Sequence, residues 1–250
     1  MSSDFNRRDF LRISLLSTAG IACSSRMPRD AVVPEPAHQR GSGGVILFQG
    51  DSITDSGRNR SIAGPNIAAA LGTGYPLLVA SRVLRASPDN DWRFFNRSDS
   101  GDKVPDLQAR WSRDTLELKP DILSVLVGVN DFWHQRLNGY TGTVADYEAQ
   151  YDALLTATRR SFPAVRLVVL EPFVLRHGVV DSTWFPEFDE RRAAAARVAS
   201  HSGATFIPLQ DAFNAASVHG GPAHWTADGV HPTPAGHELI AERWRAVLGM

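Results

Sequence analysis

The stretch DILSVLVGV, Asp121 to Val129, constrains the fold of this chain more than any other. It is almost continuously apolar and β-branched, with no polar face at a period of either two or 3.6 residues. That pattern belongs to a strand covered on both sides. A strand buried on both faces demands a layer of helix above and below it, and the rest of the chain can supply both. Short apolar runs VILF, WRFFN, VRLVVLEPF and ATFIPL alternate with helical patterns YPLLVASRVLRA, VPDLQARWSRDTLEL, DYEAQYDALLTATRRS and EFDERRAAAARVASHS. VPDLQARWSRDTLEL stops at Lys119-Pro120, where a following proline disfavours the α region. A last helix is expected from about Thr233 to Leu248, with Thr233 as N-cap and Pro234 in the first turn. The βαβα alternation predicts an α/β chain: a parallel sheet of about five strands in a three-layer α/β/α sandwich.

Length and charge narrow the field. A chain of 250 residues with 43% hydrophobic content can bury one α/β core over residues 45–250. A formal net charge of −1 gives no reason to expect nucleic acid or an anionic membrane surface as a partner. Cys23 stands alone, so neither a disulfide framework nor a thiolate metal site can form within the chain. His219, His224, His231 and His237 fall close together but not at ligand spacing, so no metal and no cofactor is expected.

Residues 1–23 read as an export signal. Arg7-Arg8 followed by Phe10-Leu11 and a mildly apolar run to Ala22 resembles a twin-arginine signal. The run is too short for a permanent membrane span. Cys23 closes it behind Gly-Ile-Ala and is the candidate lipidation residue of a lipoprotein signal; ordinary signal-peptidase cleavage nearby is the alternative. A membrane contact is therefore expected only through such an anchor, with the protein outside the cytoplasm. Residues 24–44, rich in Pro, Ser and Gly, read as a linker.

In a parallel sheet, ligands bind beyond the carboxyl ends of the strands. Four short segments follow the apolar runs there: Gly50-Asp51-Ser52, NRSDSGDK around Gly101, GVND around Asn130, and DGVHP from Asp228 to Pro232. A serine hydroxyl needs an adjacent base, and the base needs an orienting partner. His231 and Asp228 supply both types within one loop. An oxyanion needs preorganised donors, which the backbone N–H groups of Ser52 and Gly101 and the side chain of Asn130 can provide. Each segment alone is an ordinary turn; their order at successive strand ends is the signal. The G-x-S-x-G elbow is absent.

With these four segments the sequence resembles the GDSL, or SGNH, hydrolases over about Val45 to Leu248. The resemblance makes Ser52 the nucleophile, Asp228 and His231 the acid and base, and Ser52, Gly101 and Asn130 the oxyanion donors. It implies a flavodoxin-like sandwich and ester hydrolysis without a metal. Asp99 departs from the usual pattern; a second carboxylate near an oxyanion is unfavourable, so Asp99 is expected to point away. GTGYP, DLQARW, LKPD, GVNDFWH and TPAGHELIAE look most like bacterial carbohydrate acetylesterases, the xylan type in particular. The expected substrate is a small acylated carbohydrate. Trp133 and Trp225 are candidate sugar-binding residues lining the cleft; Trp184 is a third, with core packing as its competing reading. A lysophospholipase or thioesterase acting on the same site is the rival function. The sequence sets no oligomeric state.

Overall fold

The computed structural model describes residues 41–250. The expected export signal, with Cys23, and nearly all of the expected linker lie outside the described residues. The chain runs β1 (Gly41–Gly50), α1 (Ser52–Asp55), α2 (Ala68–Leu71), α3 (Tyr75–Ala86), β2 (Asn90–Asn96) and α4 (Val104–Asp114). It continues through β3 (Ile122–Leu126), α5 (Val129–Leu137), α6 (Val144–Ser161), β4 (Arg166–Leu170), α7 (Glu187–Ser202) and β5 (Thr205–Ile207). α8 (Gln210–Ala216), α9 (Pro222–Trp225) and α10 (Pro234–Leu248) complete it. The five strands form one parallel sheet in the order β2-β1-β3-β4-β5.

The core explains the unbroken apolar runs. Alternate residues of β1 face opposite sides: Ile46 and Phe48 join Tyr75 and Val79 of α3 and Trp244 of α10, whereas Leu47 joins Trp111 of α4 and Tyr151 of α6. β3 divides in the same way, with Leu126 on the first side and Leu123 and Val125 on the second. Its one polar member, Ser124, is fully buried and accepts a 3.0 Å hydrogen bond from Trp244 Nε1, so burial leaves no unpaired hydroxyl.

Three boundaries differ from the sequence reading. β1 starts at Gly41, inside the segment read as linker, and pairs with Asn90 across a register shift. The helix expected to run to Leu118 ends at Asp114 and continues as a 3₁₀ turn, Leu116–Leu118, closed by Lys119 at φ 48°. The apolar run at Asp121–Val129 is strand only to Leu126; the chain turns at Gly128 and enters α5. Gly128 sits at φ 134°, and a Cβ there would lie 2.9 Å from the Tyr147 hydroxyl, so only glycine makes this turn.

Between β1 and β3 the order of strand addition reverses, because β2 lies on one side of β1 and β3 on the other. Such a switch point opens a crevice at the carboxyl ends of the two strands. The residues that follow β1 and β3, Ser52 and Asn130, are placed at its two lips.

Candidate active site

β1 and β3 approach so closely at Gly50 that a Cβ there would meet the Leu126 carbonyl at 2.2 Å. This contact lets the chain turn into α1 directly at the sheet edge. Asp51 caps the helix: its Oδ1 accepts the Ile53 N–H at 3.0 Å. Ser52 becomes the first residue of α1, partly exposed, with an N–H that has no intrahelical acceptor.

The loop after β2 forms the second wall, and buried polar groups fix it. Asn96 donates through Nδ2 to the carbonyls of Thr54 (2.7 Å) and Leu71 (2.9 Å), and its Oδ1 accepts the Ser98 N–H. The Asp55 carboxylate accepts both the N–H (3.0 Å) and the hydroxyl (3.1 Å) of Ser100. Asp99 forms a 2.6 Å ion pair with Arg60, which also pairs with Asp55. The carboxylate that departs from the family pattern is thus engaged by a guanidinium. Among the described residues the Gly101 N–H has no protein acceptor.

Asn130 enters from the first turn of α5 and is 5% exposed. Its Nδ2 donates to the Asp102 carbonyl at 3.2 Å, which orients the amide and leaves its second N–H free. The next residue, Asp131, accepts the Val104 N–H at 3.2 Å and so ties α4 to α5. Burial pushes the Asp51 and Asp131 carboxyls up to about 7, and each keeps one buried oxygen without a partner.

The fourth segment folds back on itself through the Thr226–Pro232 bridge and the Ala227 N–H to His231 carbonyl bond. A second layer braces it: Leu175 N–H donates to the Gly229 carbonyl, Val179 N–H to the Asp228 carbonyl, and His177 shares a hydrogen bond with Thr226. Within this frame the two oxygens of Asp228 do different jobs. Oδ1 accepts the N–H groups of Val230 (2.9 Å) and His231 (2.8 Å), and Oδ2 lies 2.7 Å from His231 Nδ1. Burial alone would raise the Asp228 carboxyl, but these hydrogen bonds hold it below the usual range. On the other side of the ring, His231 Nε2 lies 2.9 Å from Ser52 Oγ. Residues 179 positions apart are therefore joined in a hydroxyl–imidazole–carboxylate relay.

The tryptophans divide. Trp133 packs beside the His231 ring, with centroids 6.0 Å apart, and is partly exposed at the site. Trp184 is 2% exposed and packs on Phe132, Phe188 and Trp133, so its core reading is the correct one. Trp225 is partly exposed, with its indole N–H bonded to the His219 carbonyl and its ring against His224. His134 escaped the sequence reading. Its ring lies 3.9 Å from where a Gly101 Cβ would stand, and burial, with the charge of Lys103, holds it below the usual histidine range. The available signal was its position four residues after Asn130, on the same helical face.

The sequence profile of the GDSL-like lipase/acylhydrolase family matches residues 48–239. An acetylxylan esterase of Geobacillus stearothermophilus is 33% identical over 211 residues, covering 84% of this chain and 95% of that protein. Among solved structures, a GDSL-like protein of Parabacteroides merdae superposes with a TM-score of 0.81 at 42% identity, covering 86% of this chain and 99% of the other. A crystal structure of an acetylxylan esterase from G. stearothermophilus gives 0.76 at 32% identity, over 84% and 96%. Read with the relay and the free N–H donors, these similarities make the chain a carboxylic ester hydrolase and a member of the GDSL-like lipase/acylhydrolase family.

Proposed function

We propose that the protein removes small acyl groups, acetyl above all, from a sugar or oligosaccharide, with Ser52 as nucleophile, His231 as base and Asp228 as its orienting acid. The observation that carries this reading is the relay Ser52 Oγ–His231 Nε2 (2.9 Å) and His231 Nδ1–Asp228 Oδ2 (2.7 Å) beside unengaged donors. Nε2 takes the Ser52 proton as Oγ bonds to the ester carbonyl carbon. The oxyanion that forms is held by the N–H groups of Ser52 and Gly101 and by the free amide N–H of Asn130. His231 then passes the proton to the departing sugar oxygen, leaving Ser52 acylated. Water, deprotonated by the same nitrogen, releases the acid. Trp133, adjacent to His231, offers a face on which a sugar ring can stack. Similarity to acetylxylan esterases supports the acetyl group and the carbohydrate.

The test is kcat/KM on nitrophenyl esters from two to twelve carbons, with acetate release from acetylated xylo-oligosaccharides. A lipid-binding groove would gain roughly 0.8 kcal/mol for each methylene it buries. The proposal expects the highest value for acetyl and a clear fall by butyryl. A maximum at eight carbons or beyond would replace it with a lipid acyl hydrolase.

A further inference from the structure

His134 stands beside the oxyanion donors and takes no part in the relay. It lies one helical turn after Asn130 on α5, and residues four apart share a face. That face meets the loop after β2: Asn130 Nδ2 bonds the Asp102 carbonyl, and the His134 ring lies 3.9 Å from where a Gly101 Cβ would stand. Apart from the chain neighbours of Gly101, no other described residue comes within 4 Å of that point, so the ring borders open space. The backbone holds the residue in place: the His134 carbonyl accepts the N–H groups of Asn138 (2.8 Å) and Tyr140 (3.2 Å) where α5 ends. The imidazole is partly exposed, and among the described residues neither ring nitrogen has a hydrogen-bond partner. Asp106, the carboxylate whose charge reaches the ring, is engaged by Lys103 through Nζ (2.6 Å) and through the backbone N–H (2.9 Å).

Burial and the Lys103 charge hold His134 below the usual histidine range, so at neutral pH the ring is uncharged and presents one donor and one acceptor. An uncharged imidazole matches a hydroxyl, which is itself donor and acceptor. An acetyl methyl would instead cover the two nitrogens without bonding either, which costs free energy. Trp133 and His134 are consecutive, about 100° apart around the helix. Trp133 packs beside His231 and His134 beside Gly101, so the two flank the place where an ester must sit. A carbonyl oxygen bound by the Gly101 N–H brings the ester-bearing carbon of a sugar, and the hydroxyl on the next ring carbon, within reach of the imidazole. We infer that His134 is a substrate-binding residue that hydrogen-bonds the hydroxyl next to the acetylated position, so that the preferred substrates are sugar esters whose neighbouring hydroxyl is unsubstituted. This rests on the carbohydrate-ester reading above and names the substrate class more closely.

The probes are a methyl xyloside carrying one acetyl group and its deoxy analogue, in which the neighbouring hydroxyl is replaced by hydrogen. Acetate release from each gives a kcat/KM value, and the ratio of the pair cancels any general change in catalysis. The wild type is expected to favour the hydroxylated ester about threefold to tenfold, the order for one neutral hydrogen bond. His134→Phe keeps a ring in the same space and removes both nitrogens. Its ratio should fall to about one, with the loss in KM rather than kcat. His134→Gln, which can donate and accept, should restore part of the preference. A wild-type ratio of about one, or a ratio that His134→Phe leaves unchanged, would overturn the inference while the acetylesterase reading stands. So would a His134→Ala enzyme that gains activity on butyryl esters and keeps its preference for the hydroxyl, because the ring would then wall the acyl pocket. No acetate release from either ester by the wild type would remove the carbohydrate-ester reading, and this inference with it.

Discussion

Replacing Asp228 with asparagine separates the orienting role of this residue from its structural one. Oδ1 accepts two backbone N–H groups, whereas Oδ2 faces only the imidazole Nδ1. An asparagine must keep its oxygen at the first position, because an NH₂ there would oppose two donors. Its NH₂ group then points at His231 Nδ1 and donates to it. That drives the ring proton onto Nε2, the nitrogen 2.9 Å from Ser52 Oγ, and the serine loses its base. The loop should keep its shape while kcat falls about ten-thousandfold, or roughly 5 kcal/mol of barrier. Asp228→Ala should match that kcat loss and also lower the melting temperature, since Val230 and His231 would lose their acceptor. Steady-state hydrolysis of nitrophenyl acetate and a thermal melt measure the two effects separately. An Asp228→Asn enzyme with unchanged melting and a loss smaller than about a hundredfold would refute the tautomer argument.

Asn130→Ala should lower kcat by about a hundredfold or more with little change in KM, because its free N–H is needed only once the oxyanion forms; a raised KM at level kcat would make it a substrate-binding residue instead. Asp131 links to pH: burial raises its carboxyl from 3.8 to about 7, so the folded state holds a proton that the unfolded state releases between these values. Its stabilising contribution is full below about pH 4 and fades as pH climbs to 7, with a slope of up to about 1.4 kcal/mol per unit. Denaturant titrations should show Asp131→Asn, which keeps the acceptor for Val104, losing less stability over that interval than wild type; parallel curves would contradict the assignment. Export through the twin-arginine route is proposed for Arg7-Arg8, and Arg7→Lys with Arg8→Lys should leave the protein inside the cell; unchanged secretion would exclude that route. Lipid labelling that survives Cys23→Ser would remove Cys23 as an anchor.

The sheet was legible because a strand buried on both faces carries its signature in every residue. DILSVLVGV could be read alone, and its lone Ser124 needed only Trp244 to be accommodated. Its end was not legible. Val127 and Val129 continue the apolar pattern; the chain turns at Gly128, where Tyr147, a residue of another helix, leaves no room for a Cβ. Ser52, His231 and Asp228 could be named because their chemistry is recognisable and strand ends converge. The ranking of the tryptophans could not be settled in the same way. Trp133 and Trp184 lie close together in space, 5.8 Å between ring centroids, yet one borders His231 and the other is sealed behind Phe132 and Phe188. Only packing distinguishes them. The bracing of the Gly101 loop by Asn96, Asp55 and Arg58 was invisible for the same reason: each contact spans tens of residues and follows no period.

In the proposed reaction the acyl group passes through Ser52. Rapid quenching of the enzyme mixed with excess acetyl ester, followed by peptide mass spectrometry, reads this directly. An acetyl group is expected on the peptide containing Ser52, confined to that residue, accumulating in the His231→Ala enzyme only at a greatly reduced rate and absent from Ser52→Ala. An acetyl group on any other side chain, or full turnover by a folded Ser52→Ala protein, would contradict it.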